Sequence, residues 1–433
     1  MNLYPFQQDG VRWLQDHPFG HLGDEMGLGK TGQAVAASDS LGDRLTLVIC
    51  PAGLKLNWRD EIRKWNTLDR PVYIVNGGDW PKVGRVGWVI INYDILRKHE
   101  KVLRATPWDT VILDEAHYIK SVDSERSRQV LGKSAKMDGG PLPRLHASRR
   151  WTLSGTPILN RPSELWTLWY WLDQHGCPSY WGYMKEHAGA SQANQWNCAG
   201  AARITELANK IKPWMLRRKK ADVLTELPPK TRQIIEIEPD AEGQAIVRRE
   251  HEIIASESVF RDHFADLRPG YPDWDRISLV RHDTARAKVR PAVEHIAHLL
   301  DEVGKVVVFA YHRDVIECLT TQAMNGATCI HGDINMDERY RRIAKFQTDP
   351  ECRVIVGQIT AMGQGINLTA ASTVLFVEES WVPGEITQAE DRCHRIGQRE
   401  NVLVQHLVLA DSLDAYMARV LVEKQNMIDR ILD

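Results

Sequence analysis

The stretch Asp24-Glu25-Met26-Gly27-Leu28-Gly29-Lys30-Thr31 gathers residue types that bind a polyphosphate. Gly27 and Gly29 let the backbone come close to an anion and turn its N–H groups inward. Lys30 can reach the β- and γ-phosphates, and the Thr31 hydroxyl suits Mg²⁺. A helix starting near Lys30 would point its positive dipole end at the same anion. Asp24 stands where such a loop usually has its first glycine, so the loop alone leaves a simple tight turn open. Downstream, Asp114-Glu115-Ala116-His117 follows the apolar run Thr110-Val111-Ile112-Leu113. At the exit of a buried strand, Asp114 is read as the Mg²⁺ carboxylate and Glu115 as the group that polarises a water. Near the other end, Gln388 to Gln398 reads as a helix and its exit, with Arg392 and Arg395 on one helix face. Two guanidinium groups so spaced can clamp a transferring phosphoryl group. The plainer reading is ion pairing to Glu390 or Asp391.

These residues need a scaffold, and its pattern repeats. The opening Leu3 to Leu14 reads as a short helix. Its Gln7 amide can donate to and accept from an adenine edge, and Tyr4 or Phe6 can stack on the ring. Leu45 to Cys50, Trp88 to Tyr93, Thr110 to Leu113 and the stretch from Arg150 read as buried strands, with Trp58, Ile62 and Trp65 at helical spacing between them. Ser154 and Thr156 at the last exit are either turn formers or sensors of phosphate. Strands alternating with helices mean a parallel sheet whose ligands bind beyond the carboxyl ends of the strands. Residues 160–228 look helical, with an almost wholly apolar segment at Leu165–Leu172 and the basic run Arg217-Arg218-Lys219-Lys220. Helix-compatible sequence continues to about Arg290. A second α/β pattern then runs through Val306–Ala310, Ala327–His331, Val354–Val356, Val374–Val377 and Asn401–Val408 to an amphipathic terminal helix.

Composition narrows the class. The 433 residues are 43% hydrophobic and 26% charged, an ordinary globular balance long enough for two or more domains. A net charge of -2 offers no bulk attraction to nucleic acid, so such contacts must come from a local basic groove. The seven cysteines are scattered without a C-x-x-C pair, against a zinc site or disulfide framework and in favour of a reducing compartment. Residues 1–20 lack a signal pattern, and no apolar run is long enough to span a bilayer.

Taken in order, the motifs resemble the Swi/Snf-like DNA translocases of helicase superfamily two. The resemblance rests on Gln7, D-E-M-G-L-G-K-T from Asp24, C-P-A-G-L-K-L-N-W from Cys50, D-E-A-H-Y-I-K from Asp114, L-S-G-T-P from Leu153 and L-R-R-K-K-A-D-V from Leu216. It continues with H-G-D-I from His331, G-Q-G-I-N-L-T from Gly363 and Q-A-E-D-R-C-H-R-I-G-Q from Gln388. Asn160 to Leu165, Thr284 to Val289 and Val308 to His312 look most like the annealing-helicase branch. Val382, in Trp381-Val382-Pro383, and Glu378 depart from the usual pattern.

The resemblance implies an α/β fold of two RecA-like lobes with parallel sheets and helical insertions between them. The expected divisions are 1–159 for the first ATP-binding lobe and 160–228 for its helical insertion. Residues 229–290 are expected as a helical linker or insertion of the second lobe, and 291–433 as that lobe with a terminal brace helix. The implied activity is DNA-dependent ATP hydrolysis driving translocation on duplex or branched DNA, with reannealing or remodelling as the outcome. ATP and Mg²⁺ are the implied cofactors. Gln7, Gly27, Gly29, Lys30, Thr31, Gly365 and Gln388 would bind nucleotide. Lys30, Asp114, Glu115, Arg392 and Arg395 would carry the chemistry in a cleft that closes on ATP. Lys55, Asn92, Arg313, Thr360, Asn367 and Trp381 would grip DNA phosphates without reading sequence. A DNA-associated cytoplasmic monomer that other proteins recruit is expected, with no membrane contact. The alternatives are a strand-separating helicase, a remodeller of protein–DNA complexes docking a partner on the 134–149 loop, and a non-hydrolysing clamp.

Overall fold

Apolar runs of four to eight residues, closed by proline, glycine or an acidic turn, become the central strands of two separate sheets. A computed structural model describes residues 3–132, 145–193, 196–198, 200–256, 274–323, 326–362 and 366–432. Gly365 and residues 134–144 of the expected docking loop lie outside the described residues. The chain divides into two units, Met1–Thr225 with Asn426–Asp433, and Glu226–Gln425.

In the first unit, β1 (Phe19–Leu22), β2 (Leu45–Cys50), β3 (Val72–Ile74), β4 (Gly87–Asn92), β5 (Trp108–Asp114), β6 (Ala147–Leu153) and β7 (Met215–Leu216) form one sheet in the order β3-β4-β2-β5-β6-β1-β7. Every pairing is parallel. Because strand side chains alternate, Val48, Ile90 and Ile112 pack on one face while Leu47, Val89 and Val111 pack on the other. Both faces are covered, which is why these strands read as continuous apolar runs rather than alternating ones. Helices α1 (Pro5–Asp16), α2 (Lys30–Ser40) and α3 (Lys55–Trp65) supply Leu14, Val35, Trp58 and Ile62 to the first face. The apolar helix Leu165–Leu172 buries Trp166, Trp169 and Trp171 against the second. Each fully buried side chain of this size contributes about 1.5–3 kcal/mol relative to exposure.

The second unit repeats the principle. Its strands β8 (Lys230–Ile237), β9 (Val306–Ala310), β10 (Thr328–Ile330), β11 (Val354–Gln358), β12 (Thr373–Phe376) and β13 (Val402–Leu409) pair in parallel in the order β10-β11-β9-β12-β13-β8. Val306, Val308 and Val356 face one core cluster, and Val307, Phe309 and Ile355 the other.

Three expectations are corrected. Residues 215–216, inside the segment read as helical, add β7 to the first sheet. Residues 230–237, read as helical linker, form β8. It is an edge strand with mostly exposed positions, so Thr231, Arg232 and Glu236 reach water and the apolar signature of a buried strand is missing. Residues 426–433, expected with the second lobe, group with the first unit, where Ile428 and Ile431 are buried in its core.

Candidate functional site

Parallel pairing puts the carboxyl ends of all seven strands of the first sheet at one edge, and the chemistry-bearing residues lie there. α2 begins at Lys30, directly after Gly29. Gly27 and Gly29 have φ of 88° and 77°, left-handed values that L residues rarely adopt. A Cβ on Gly29 would also lie 2.3 Å from Gln7 Nε2, so the glycine permits both the turn and the close approach of α1. Gln7 is buried. Its amide donates to the Leu28 carbonyl at 3.0 Å and its oxygen accepts from Tyr4 N–H at 3.0 Å, which ties α1 to the loop.

Lys30 Nζ donates to the carbonyls of Asp24 at 2.6 Å and Glu25 at 3.3 Å. Burial lowers its pKa, and the carboxylates of Asp24, Glu115 and Asp114 act against that. Thr31, the second residue of α2, is half-buried. The turn after β6 closes on the same loop: a Cβ on Gly155 would meet Met26 N at 3.0 Å and Asp24 O at 3.1 Å. Ser154 Oγ accepts from Thr156 N–H at 3.2 Å within that turn.

Asp24 is explained by a distant arginine. Its fully buried carboxylate accepts both arms of the Arg218 guanidinium, Nε at 2.8 Å, and also the Gln33 amide at 3.1 Å. Arg218 further reaches Gln33 Oε1 at 2.8 Å and the Phe6 carbonyl. Arg217 beside it donates to the carbonyls of Gly23 at 3.2 Å and Gly155 at 3.0 Å. Arg217 and Arg218, which follow β7, thus tie down Gly23, Asp24 and Gly155 around the glycine loop, a role that nothing local in the sequence announces. Arg218→Leu leaves the Asp24 carboxylate buried without its cation. It is expected to lower the unfolding free energy by about 3–5 kcal/mol in urea denaturation, and adding Asp24→Leu is expected to restore part of the loss.

The acidic pair ends β5. On an extended strand, neighbouring side chains point to opposite faces. Glu115 instead has φ 49° and ψ 54°, a left-handed turn that costs a non-glycine residue about 1–3 kcal/mol. The turn brings both carboxylates to one edge: each acts on Lys30, and Glu115 acts on Asp114. Burial first, and the Glu115 charge second, push the Asp114 carboxyl up to about 7. Trp58 Nε1 donates to Asp114 Oδ2 at 2.6 Å, Glu115 N–H donates to Oδ1 at 3.0 Å, and Tyr93 OH donates to the Asp114 carbonyl at 2.8 Å. His117 Nδ1 lies 3.4 Å from Glu115 Oε2, and burial holds its pKa down at about 3. Of the residues expected to grip DNA, Lys55 opens α3 with Nζ on Val75 O and Asn76 Oδ1, both at 3.1 Å, and Asn92 ends β4.

In the second unit the helix Pro383–Glu390 ends before the two arginines. Arg392 and Arg395 lie in the turns that follow, so they do not share a helix face as the spacing suggested. Of the two carboxylates that the plainer reading offers, Glu390 or Asp391, Glu390 is engaged by another strand. Its carboxylate takes Arg232 at 2.6 and 2.7 Å and Lys230 at 2.7 Å, both from β8. Burial would raise the Glu390 pKa, but these cations bring it below the usual range. The arginine turn is stitched to the Gly363–Thr369 motif: Leu368 N–H donates to Arg392 O at 3.0 Å, and Arg395 Nη1 to Ile366 O at 3.1 Å. Gln388 is buried in the preceding helix. Arg313 is exposed at the start of the helix Arg313–Ala323, paired with Glu317 and Asp333. Thr360 and Asn367 are exposed, and Trp381 lies under the Arg281 guanidinium at 4.8 Å. Glu378, the departure noted in the sequence, accepts Tyr311 N–H at 2.8 Å, His312 N–H at 2.9 Å and His312 Nδ1 at 2.6 Å, fixing the exit of β9.

Comparison with known families matches residues 6–263 to the SNF2-related domain and residues 290–397 to the helicase conserved C-terminal domain. The chain belongs to the SNF2-related family. Among its relatives is the bovine protein named DNA annealing helicase and endonuclease ZRANB3, 32% identical over 450 residues that cover 100% of this chain and 40% of that one. The Xenopus tropicalis SWI/SNF-related matrix-associated actin-dependent regulator of chromatin subfamily A-like protein 1 is 30% identical over 436 residues, covering 98% and 44%. This SNF2-related chain therefore spans roughly two fifths of the length of those relatives. A solved Sulfolobus solfataricus SWI2/SNF2 ATPase core in complex with dsDNA is 25% identical, with a TM-score of 0.47 over 100% of this chain and 93% of that one. No helix among the described residues is long and apolar enough to cross a membrane.

Proposed function

We propose that this SNF2-related chain is a DNA-dependent ATPase that moves along duplex or branched DNA and reanneals or remodels it. The observation that carries the reading is the single sheet edge on which Lys30, Asp114 and Glu115 act on one another behind a glycine loop. The relatives named as annealing helicases support the DNA half of it.

In this reading the α2 N-terminus, Gly27, Gly29 and Lys30 hold the polyphosphate, and Gln7 fixes the loop against the base side. Mg²⁺ fits the donors present. The Thr31 hydroxyl and Asp114 carboxylate are hard oxygens, and a cation would offset both the burial and the neighbouring Glu115 charge that raise the Asp114 pKa. When bound, the ion supplies neutralisation of phosphate charge. Glu115 orients and polarises the attacking water. Arg392 and Arg395 belong to the same hydrolytic machinery, and Gln388 and Gly365 to nucleotide binding. Lys55 and Asn92 in the first unit, with Arg313, Thr360, Asn367 and Trp381 in the second, contact phosphates. The protein acts as a monomer delivered to DNA by other proteins.

The test is the ATP hydrolysis rate without DNA and with single-stranded, duplex and branched DNA side by side. Stimulation by duplex or branched DNA is expected, together with triplex displacement and strand annealing. Hydrolysis indifferent to DNA overturns the proposal, and unwinding of a forked duplex in place of triplex displacement gives the strand-separating alternative.

A further inference from the structure

Register places the DNA-facing candidates of the first unit beside the catalytic carboxylate. Cys50 of β2 pairs with Asn92 of β4, while Ile49 pairs with Leu113 of β5, so Asn92, Cys50 and Asp114 stand level on three adjacent strands. Strands are spaced by about 4.8 Å, which puts Asn92 and Asp114 roughly 10 Å apart. Lys55 opens α3, the helix that follows β2 at the same edge. Two hydrogen bonds span the short gap. Trp58 is three residues after Lys55, on the same face of α3, and its indole N–H ends on Asp114 Oδ2 at 2.6 Å. Tyr93 follows Asn92, and its hydroxyl ends on the Asp114 carbonyl at 2.8 Å. Trp58 and Tyr93 are essentially fully buried, at 0% and 2% exposure, while Lys55 and Asn92 are buried but keep a narrow exposure of 8% and 6%.

We propose that Trp58 and Tyr93 are positioning residues through which DNA contact at Lys55 and Asn92 sets the placement of the Asp114 carboxylate. The inference rests on the DNA-dependent ATPase reading and names the regulation of that site. The indole bond is the stronger element, because it is short and its acceptor is a carboxylate. It fixes one oxygen of Asp114 while the Glu115 amide fixes the other. A shift of α3 under a DNA phosphate would therefore pull on the carboxylate through this bond. Tyr93 makes the parallel link to the Asp114 backbone, from a strand exit rather than a helix.

The experiment uses the full chain with Tyr93→Phe, which removes only a hydroxyl, and Trp58→Phe, which removes the indole N–H and some packing. Three quantities are measured: the ratio of kcat with and without saturating duplex DNA, the DNA Kd, and the affinity for a fluorescent ATP analogue with and without Mg²⁺. In Trp58→Phe the DNA-stimulation ratio and the Mg²⁺-dependent gain in nucleotide affinity are each expected to fall about tenfold, with DNA Kd within twofold. Tyr93→Phe is expected to lower the ratio two- to threefold, roughly what a neutral hydrogen bond is worth. If both variants keep the wild-type ratio, including a case where Trp58→Phe merely melts earlier and loses both rates together, the inference fails and the ATPase reading stands. A wild-type protein that DNA does not stimulate overturns the reading itself, and this inference with it.

Discussion

Glu115→Gln is expected to bind ATP and DNA close to wild-type affinity and to lose turnover by about 10²–10⁴-fold, the usual contribution of a positioned acid–base group. Glutamine keeps the size and the left-handed turn of Glu115 but cannot accept the proton of a water. Phosphate release measured beside nucleotide binding separates the two effects. The left-handed turn sharpens the expectation, because holding a non-glycine residue at φ 49° costs about 1–3 kcal/mol that the fold must offset. Near-normal turnover in this variant would remove Glu115 from the chemistry and leave the turn as its only role.

Arg395→Ala is expected to lower kcat by about 10³-fold or more while ATP affinity changes only a few-fold. An arginine that stabilises charge on a transferring phosphoryl group acts in the transition state and adds little to ground-state binding. The competing account is structural, since Arg395 also bonds the Ile366 carbonyl and so supports the turn beside the Gly363–Thr369 motif. A structural arginine would lower the melting temperature and leave kcat of the folded protein unchanged. Steady-state kinetics with a melting curve on the same preparation distinguish the two.

The glycine turn before α2, the acidic strand exit and most central strands were legible in the sequence because each is a local rule. Positive φ needs glycine, as at Gly27 and Gly29, and a strand covered on both faces must be apolar throughout, as in Leu45–Cys50. β8 escaped because an edge strand has no such constraint, and its Lys230 and Arg232 read as helix-compatible charge until they are seen on Glu390. The spacing of Arg392 and Arg395 suggested a helical face, but the helix stops at Glu390. Trp58 looked like core, and it is core, yet its one polar atom carries a bond to Asp114.

Spacing along the chain thus specified the local conformation of the glycine turn and of the strands covered on both faces. It did not specify which distant groups would meet. Asp24 and Arg218 are 194 positions apart, and Trp58 and Asp114 are 56 apart. Those partnerships follow from the strand order β3-β4-β2-β5-β6-β1-β7, which sets β5 beside β2 and β7 beside β1, the strand that leads into Asp24. Periodicity encodes burial and local geometry, whereas the pairing of remote polar groups depends on how a whole sheet is wound, and that is settled only when the chain has folded.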